Sequence, residues 1–373
     1  QLSRGGGNPT DMAYYAELAG NQAYAIAAYA EALRYYLQTI HALVGEQSHM
    51  SSEGNDIHSS IRRITPQIIS QLPFATIQHV SRLLERIAEC NMVPGNFEDV
   101  RYLYECILAL HTSKNFQQTL TSSSSDSVAQ VQQAIQRQAL LWREIGNTWT
   151  STGDYARAYE CYGRGKEMMR SAGITTGIAW ACLHSQYGAM LRLEGHYHEA
   201  HRYLQEALKM LESIIDPGID YEQIDELTQS IEERGTLRVG KDSRQDRENR
   251  QVDLAPVYVN EEQRQSQKDL HTRIEGTLQG DPFEIGYAHE QLGIVLASSG
   301  PPSEGLKHLR IALTIYEQSE LLPEMARVCS NLGAAYISKG EHAPARDYLR
   351  RSLDLAERIG DLPSTATVTS NLG

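Results

Sequence analysis

Several things are missing from this chain, and each absence removes a class of function. No run of roughly 18 apolar residues occurs, which excludes a membrane-spanning helix. The cysteines Cys90, Cys106, Cys161, Cys182 and Cys329 are odd in number and show no Cys-x-x-Cys spacing. That argues for a reducing, cytoplasmic setting and against a disulfide or zinc framework. Gly-x-Ser-x-Gly, His-Glu-x-x-His and Gly-x-Gly-x-x-Gly are all absent, so no nucleophile elbow, zinc-protease helix or dinucleotide loop is encoded. Acidic residues are plentiful but fall at helix-surface spacing. The expectation is a non-enzyme without cofactor or metal. Positive charge is also short: 34 Lys and Arg stand against 47 Asp and Glu, a net charge of −13, which disfavours nucleic acid as the principal partner. No amino-terminal Met, basic segment and apolar core of a signal peptide are in view.

Two near-matches fall short of chemistry. Gly235 through Gly240 and Lys241 has the spacing of a phosphate-binding loop, but Asp242 stands where a magnesium-binding hydroxyl belongs, and no strand precedes it. His196, His198 and His201 form H-x-H-x-x-H at the start of a helix, where His198 and His201 share a face. No carboxylate or cysteine ligand is placed with them by sequence, so solvent-facing histidines are expected there.

What is present is a recurrence. Around Gly146, Gly188, Gly293 and Gly333 one skeleton returns: Trp149, Leu191, Leu296 and Tyr336 three residues on; Gly153, Gly195, Gly300 and Gly340 seven on. Ala158, Ala200, Gly305 and Ala345 follow twelve on, and Tyr162, Leu204, Leu309 and Leu349 sixteen on. The steps are 42 residues from Gly146 to Gly188 and 40 from Gly293 to Gly333, a period that means a helical array. A glycine inside a helix costs about 1 kcal/mol against alanine, so its repetition points to a steric use: it lets a second helix approach closely. The turn glycine seven on suits a left-handed helix end, with Asp154 or Glu341 favouring the next helix start. Gly300-Pro301-Pro302 replaces the usual turn in the third copy, and proline is tolerated at a helix start.

This skeleton resembles the tetratricopeptide repeat, in a long form of 40–42 residues. The resemblance covers about half of the chain and implies an all-α fold, a right-handed α-solenoid of antiparallel helical hairpins. A degenerate copy lies near the amino end, where Gly20, Tyr29, Ala32 and Tyr36 match Gly146, Tyr155, Ala158 and Tyr162. Between them, helices are expected over Ile57–Leu72, Phe74–Cys90 and Phe97–His111, without a surviving repeat signature. The expected organisation is a tail at 1–10, a degenerate helical region at 11–137, two hairpins at 138–214, an interrupted hairpin at 215–280, and two hairpins plus a further first helix at 281–373. The Ser-rich 119–127 and the charged 235–260 read as loops, the latter inserted between helices at Tyr221–Glu233 and Glu261–Leu278. Ser370, Asn371, Leu372 and Gly373 fall in the middle of a first helix, so the sequence reads as part of something longer whose apolar end face is able to self-associate.

With the seam glycine as zero, positions −3, −2 and +1 of each first helix point to the concave groove, as do −6 and +4 in places. That selects Arg143, Glu144, Asn147, Ser185, Gln186, Arg192, Tyr287, Glu290, Gln291, Arg327, Ser330 and Asn331 as the candidate ligand wall, with Thr150, Ser370 and Asn371 beside them. Amides pair with both groups of an extended backbone, and arginine clamps carboxylates. The resemblance implies a peptide-binding use for the Asn331 position in particular. The expected function is a protein-interaction scaffold that takes a peptide or protein segment. The run AELAGNQAYAIAAYAEALRYYLQ is also similar to the start of the repeat arms of bacterial STAND-class signalling ATPases. That similarity implies a second role, a sensor arm for a small molecule or signalling peptide.

Overall fold

The computed structural model describes residues 8–45, 57–113, 116, 127–222, 224, 226 and 272–360. Among them are fifteen helices and no strand. In chain order they are α1 Pro9–Ala25, α2 Tyr29–Val44, α3 Ile57–Arg63, α4 Pro66–Ile69, α5 Phe74–Met92, α6 Phe97–Thr112, α7 Ser127–Ser151 and α8 Tyr155–Ser171. There follow α9 Ile178–Leu193, α10 Tyr197–Glu212, α11 Arg273–Gln279, α12 Phe283–Ser299, α13 Pro302–Gln318, α14 Leu322–Ser338 and α15 His342–Ile359. The fold is an all-α repeat fold of paired helices.

The seam works through absent atoms. A Cβ added at Gly188 would lie 2.6 Å from Cγ of Leu204, and one at Gly333 would lie 2.6 Å from Cγ of Leu349. Gly20, Gly146 and Gly293 oppose Tyr36, Tyr162 and Leu309 in the same way, each partner sixteen residues further on. These partners are buried, each contributing about 2 kcal/mol of transfer free energy. At the turns, Gly153 has φ +80, and Asp154 then accepts the Arg157 backbone N–H at 3.1 Å to open α8. Pro302 occupies the first turn of α13 without loss, since that N–H has no intrahelical acceptor.

The chain divides into two compact units: 1–183 with 270–279, and 184–269 with 280–373. In the first, α1/α2, α5/α6 and α7/α8 are hairpins, α3 and α4 lie on α6, and α11 lies on α7. In the second, α12/α13 and α14/α15 are hairpins, α10 packs on α12, and α13 on α14.

Two expectations need correction. The helix expected over Ile57–Leu72 is broken into α3 and α4, because Thr65 is extended (φ −117, ψ 148), as a residue before proline prefers. The second concerns the interval after α2, where part of the skeleton can be read, although Asn91 and Val100 stand at the three-on and twelve-on positions. Ala88 stands in the seam position with Gly95 seven on, at φ +80, and Tyr104 sixteen on. Ala88 and Tyr104 are both buried. Of the helix expected over Glu261–Leu278, the described part is α11, and it belongs to the first unit. The phosphate-loop near-match, the 235–260 segment, most of Tyr221–Glu233, residues 119–126 of the Ser-rich stretch, Ser370 and Asn371 lie outside the described residues.

Candidate functional site

In the first unit, three expected wall residues on α7 bind one another. Arg143 donates from Nε and Nη2 to Glu144 Oε1 at 2.9 and 2.6 Å, and both residues are buried. Asn147 donates to Glu144 Oε2 at 3.1 Å and accepts the Tyr162 hydroxyl at 2.9 Å. The same pairing joins Asn21 to Tyr36 at 2.9 Å in the amino-terminal copy. A charge pair so far from water is held by its geometry, and removing either member would leave a buried charge without its counter-charge.

The second unit bonds seven of the expected residues across three first helices. Tyr287 of α12 donates to Gln186 Oε1 of α9 at 2.9 Å, and Arg192 of α9 donates from Nε to Gln291 Oε1 at 3.1 Å. Glu290 of α12, wholly buried, accepts both arms of Arg327 from α14 at 2.8 and 2.7 Å, Asn331 at 2.9 Å and the Tyr316 hydroxyl at 3.3 Å. Burial pushes the Tyr287 hydroxyl up to about 12, so it stays a donor at any ordinary pH. Ser185 is buried, while Ser330 is partly exposed on α14. Arg327 is different: its side chain keeps 45% of its exposure while gripping Glu290.

A second carboxylate centre escaped the sequence reading because an alanine sits in its seam. With Ala88 as zero, Glu85, Arg86 and Glu89 of α5 occupy the −3, −2 and +1 wall positions. Glu89 accepts Tyr24 Oη at 3.0 Å and Arg86 Nη1 at 2.9 Å on one oxygen, and the backbone N–H of Arg273 at 2.7 Å on the other. Glu85 pairs with Arg137 of α7, while its Oε2 is buried without a hydrogen-bond partner. Burial raises the Glu85 carboxyl to about 7, against the opposing pull of Arg137. The turn glycine Gly95 was the available signal: counting back seven residues from it finds Ala88.

Residues 284–358 match the sequence profile of the tetratricopeptide repeat. This segment is a tetratricopeptide repeat region. It contains Tyr287, Glu290, Gln291, Arg327, Ser330 and Asn331, together with the Tyr316 that completes the Glu290 centre. Tetratricopeptide repeats are in general non-catalytic scaffolds for peptides or proteins. Among solved structures, the chain is similar to BtubC (BKLC) from P. vanneervenii, with TM-score 0.42 and 12% identity over 81% of this chain and 91% of that one. It is similar also to the Rap conjugation gene regulator of the plasmid pLS20, solved in complex with the Phr* peptide, with TM-score 0.42 and 13% identity over 100% and 80% of the two chains. A third is a STAND protein with a tetratricopeptide repeat sensor from Pyrococcus horikoshii, with TM-score 0.29 and 13% identity over 98% of this chain and 62% of that one. No curated protein matches the chain by sequence.

Two further features sit in the second unit. His289 and His308 face each other Nδ1 to Nδ1 at 2.7 Å, with Glu212 3.5 Å from the other nitrogen of His289. One shared proton makes this bond, so at least one ring is neutral, and burial lowers both pKa values, that of His308 to about 3. A cavity of about 740 Å³ lies between the turn Gly195–His201 and the repeat region's Val295–Glu304 turn, lined by His196, His198 and His201 among others. Among the described residues no three His, Cys, Asp or Glu side chains are placed to hold a metal ion, and no helix is long and apolar enough to cross a membrane.

Proposed function

We propose that the chain is a protein-interaction module whose second unit takes a peptide segment of another protein along the ladder from Gln186 to Asn331. The observation that supports this is the state of its arginines. Arg192 is fixed through Nε by Gln291 and Arg327 through a bidentate grip on Glu290, so both guanidinium groups are oriented before a ligand arrives. Arg327 remains 45% exposed in that grip, and Arg192 and Asn331 are partly exposed beside it. Preorganised donors bind at lower entropic cost than free side chains. Backbone carbonyls and acidic side chains of an extended peptide are the matching chemistry. Panning a random peptide library against the chain tests it. Selected peptides should bind in the micromolar range and weaken about tenfold with Arg192→Ala combined with Asn331→Ala. Peptides that bind both chains equally would sink the assignment.

The 740 Å³ cavity favours a second reading, a small-molecule inducer site, because its volume falls in the range of ligand pockets. A thermal-shift screen with small metabolites, repeated with His198→Ala, decides it: a stabilising compound that ignores the substitution would argue against this cavity.

A further inference from the structure

Among the described residues, helix α11 pairs with no other helix as a repeat hairpin. It is seven residues long, too short to persist alone, and follows α10 in the described chain only after a long sequence interval. Yet it is among the most enclosed segments of the first unit: Thr272 is 2% exposed, Ile274 1% and Thr277 1%. Its surroundings are the wall of two successive first helices. Glu89 of α5 accepts the Arg273 backbone N–H at 2.7 Å, and the Thr272 hydroxyl lies against the Glu85 carboxyl. From α7, Arg137 reaches Glu275 at 3.8 Å while also pairing with Glu85. A main-chain amide on a fixed carboxylate, a hydroxyl contact, one deeply buried aliphatic anchor and a flanking ion pair are the elements by which a groove recognises a short peptide. The helix carries a buried Gly276 and ends on Gly280 at φ +93, and polar contacts run from this segment to the wall residues Glu85, Glu89 and Arg137.

We propose that Thr272–Gln279 is a built-in ligand, seated in a peptide-recognition site of the first unit formed by Glu85, Glu89 and Arg137, and displaceable by a peptide of the same chemistry. The tether gives the segment an effective concentration in the millimolar range, so the site is closed by default and opens to a competing segment only when that one is abundant or binds tighter. This inference stands apart from the reading of the second unit and does not require its ligand.

The test uses a fluorescein-labelled peptide of residues 270–281, LHTRIEGTLQGD, and the full chain. Ile274→Asp in the chain should eject the internal segment and raise affinity for the peptide about tenfold or more over the unsubstituted chain, read by anisotropy. A peptide carrying the same Ile274→Asp change should show no gain. A folded Ile274→Asp chain that binds no peptide, or an unsubstituted chain that binds it equally well, overturns the proposal. Hydrogen exchange on the unsubstituted chain decides independently, including where the substituted chain fails to fold. Excess unlabelled peptide should speed exchange at 272–279 while leaving α5 and α7 unchanged, and no acceleration at 272–279 refutes displacement.

Discussion

Glu89 and Glu290 are both carboxylates set on the polar wall of a first helix, each bound by a tyrosine and an arginine, yet they are filled differently. Among the described residues Glu290 accepts from side chains, those of Arg327, Asn331 and Tyr316. Glu89 accepts Tyr24, Arg86 and a main-chain amide supplied 184 residues further along the chain. In the second unit the carboxylate organises a wall, and in the first a comparable carboxylate already holds polypeptide. The repeat geometry is shared, and the difference lies in where the arginine stands. Arg86 is in the same helix as Glu89 and is 8% exposed, whereas Arg327 comes from the next hairpin and is 45% exposed.

The largest expected effect breaks that comparison at its charges. Glu89→Ala takes the counter-charge from a buried Arg86 and should destabilise the first unit by about 3–5 kcal/mol, whereas Glu290→Ala leaves Arg327 able to reach water and should cost about 1–3 kcal/mol. Trp142, Trp149 and Trp180 all fall in the first unit, so tryptophan emission follows that unit while far-ultraviolet circular dichroism follows both. Equal losses in the two variants would show that exposure of the arginine does not set the energy.

Acid should separate the units next. Burial lowers the pKa values of His289 and His308, that of His308 to about 3. Their contribution is therefore fully present above about pH 6.5, the unfolded value, and lost as pH falls, with His308 alone accounting for about 2 kcal/mol at pH 5. Glu85 has the opposite sign. Raised to about 7, it binds a proton in the fold that the unfolded chain releases, so its contribution grows as pH falls from 7 toward the unfolded value. His111, lowered to about 3 by burial, offsets that gain in the first unit. Denaturant titrations at pH 7 and 5 should show the second unit losing more, with His308→Gln flattening its pH dependence. A pH response unchanged by that substitution would exclude the histidine pair as its source.

The smallest effect is on the exposed side of the ladder. Arg192→Ala should change stability by less than about 0.5 kcal/mol, because one hydrogen bond at a partly exposed site is exchanged for water. Ligand affinity, not melting temperature, is where that substitution should register.

Much of the fold is legible in the sequence, because a seam glycine and its partner sixteen residues on constitute a steric lock visible as spacing. Gly188 with Leu204 and Gly333 with Leu349 were found that way. The α5/α6 hairpin was not, since Ala88 fulfils the same small-residue requirement without the glycine that marks it. The wall positions were nameable from the frame, but their engagement was not. That Glu290 would be sealed by Arg327 depends on two hairpins meeting, and the Arg273–Glu89 bond joins residues with no local pattern in common.

The placement of Thr272–Gln279 also has a consequence in time. Ribosomes deliver the chain from its amino end, and the first unit lacks this piece until about 90 residues beyond Leu183 have been made. At roughly 5–20 residues per second, that leaves the nascent first unit incomplete for roughly 5–18 s. During synthesis Glu89 lacks the main-chain N–H that Arg273 later donates, so a partner acting in that interval meets the site without the competing segment.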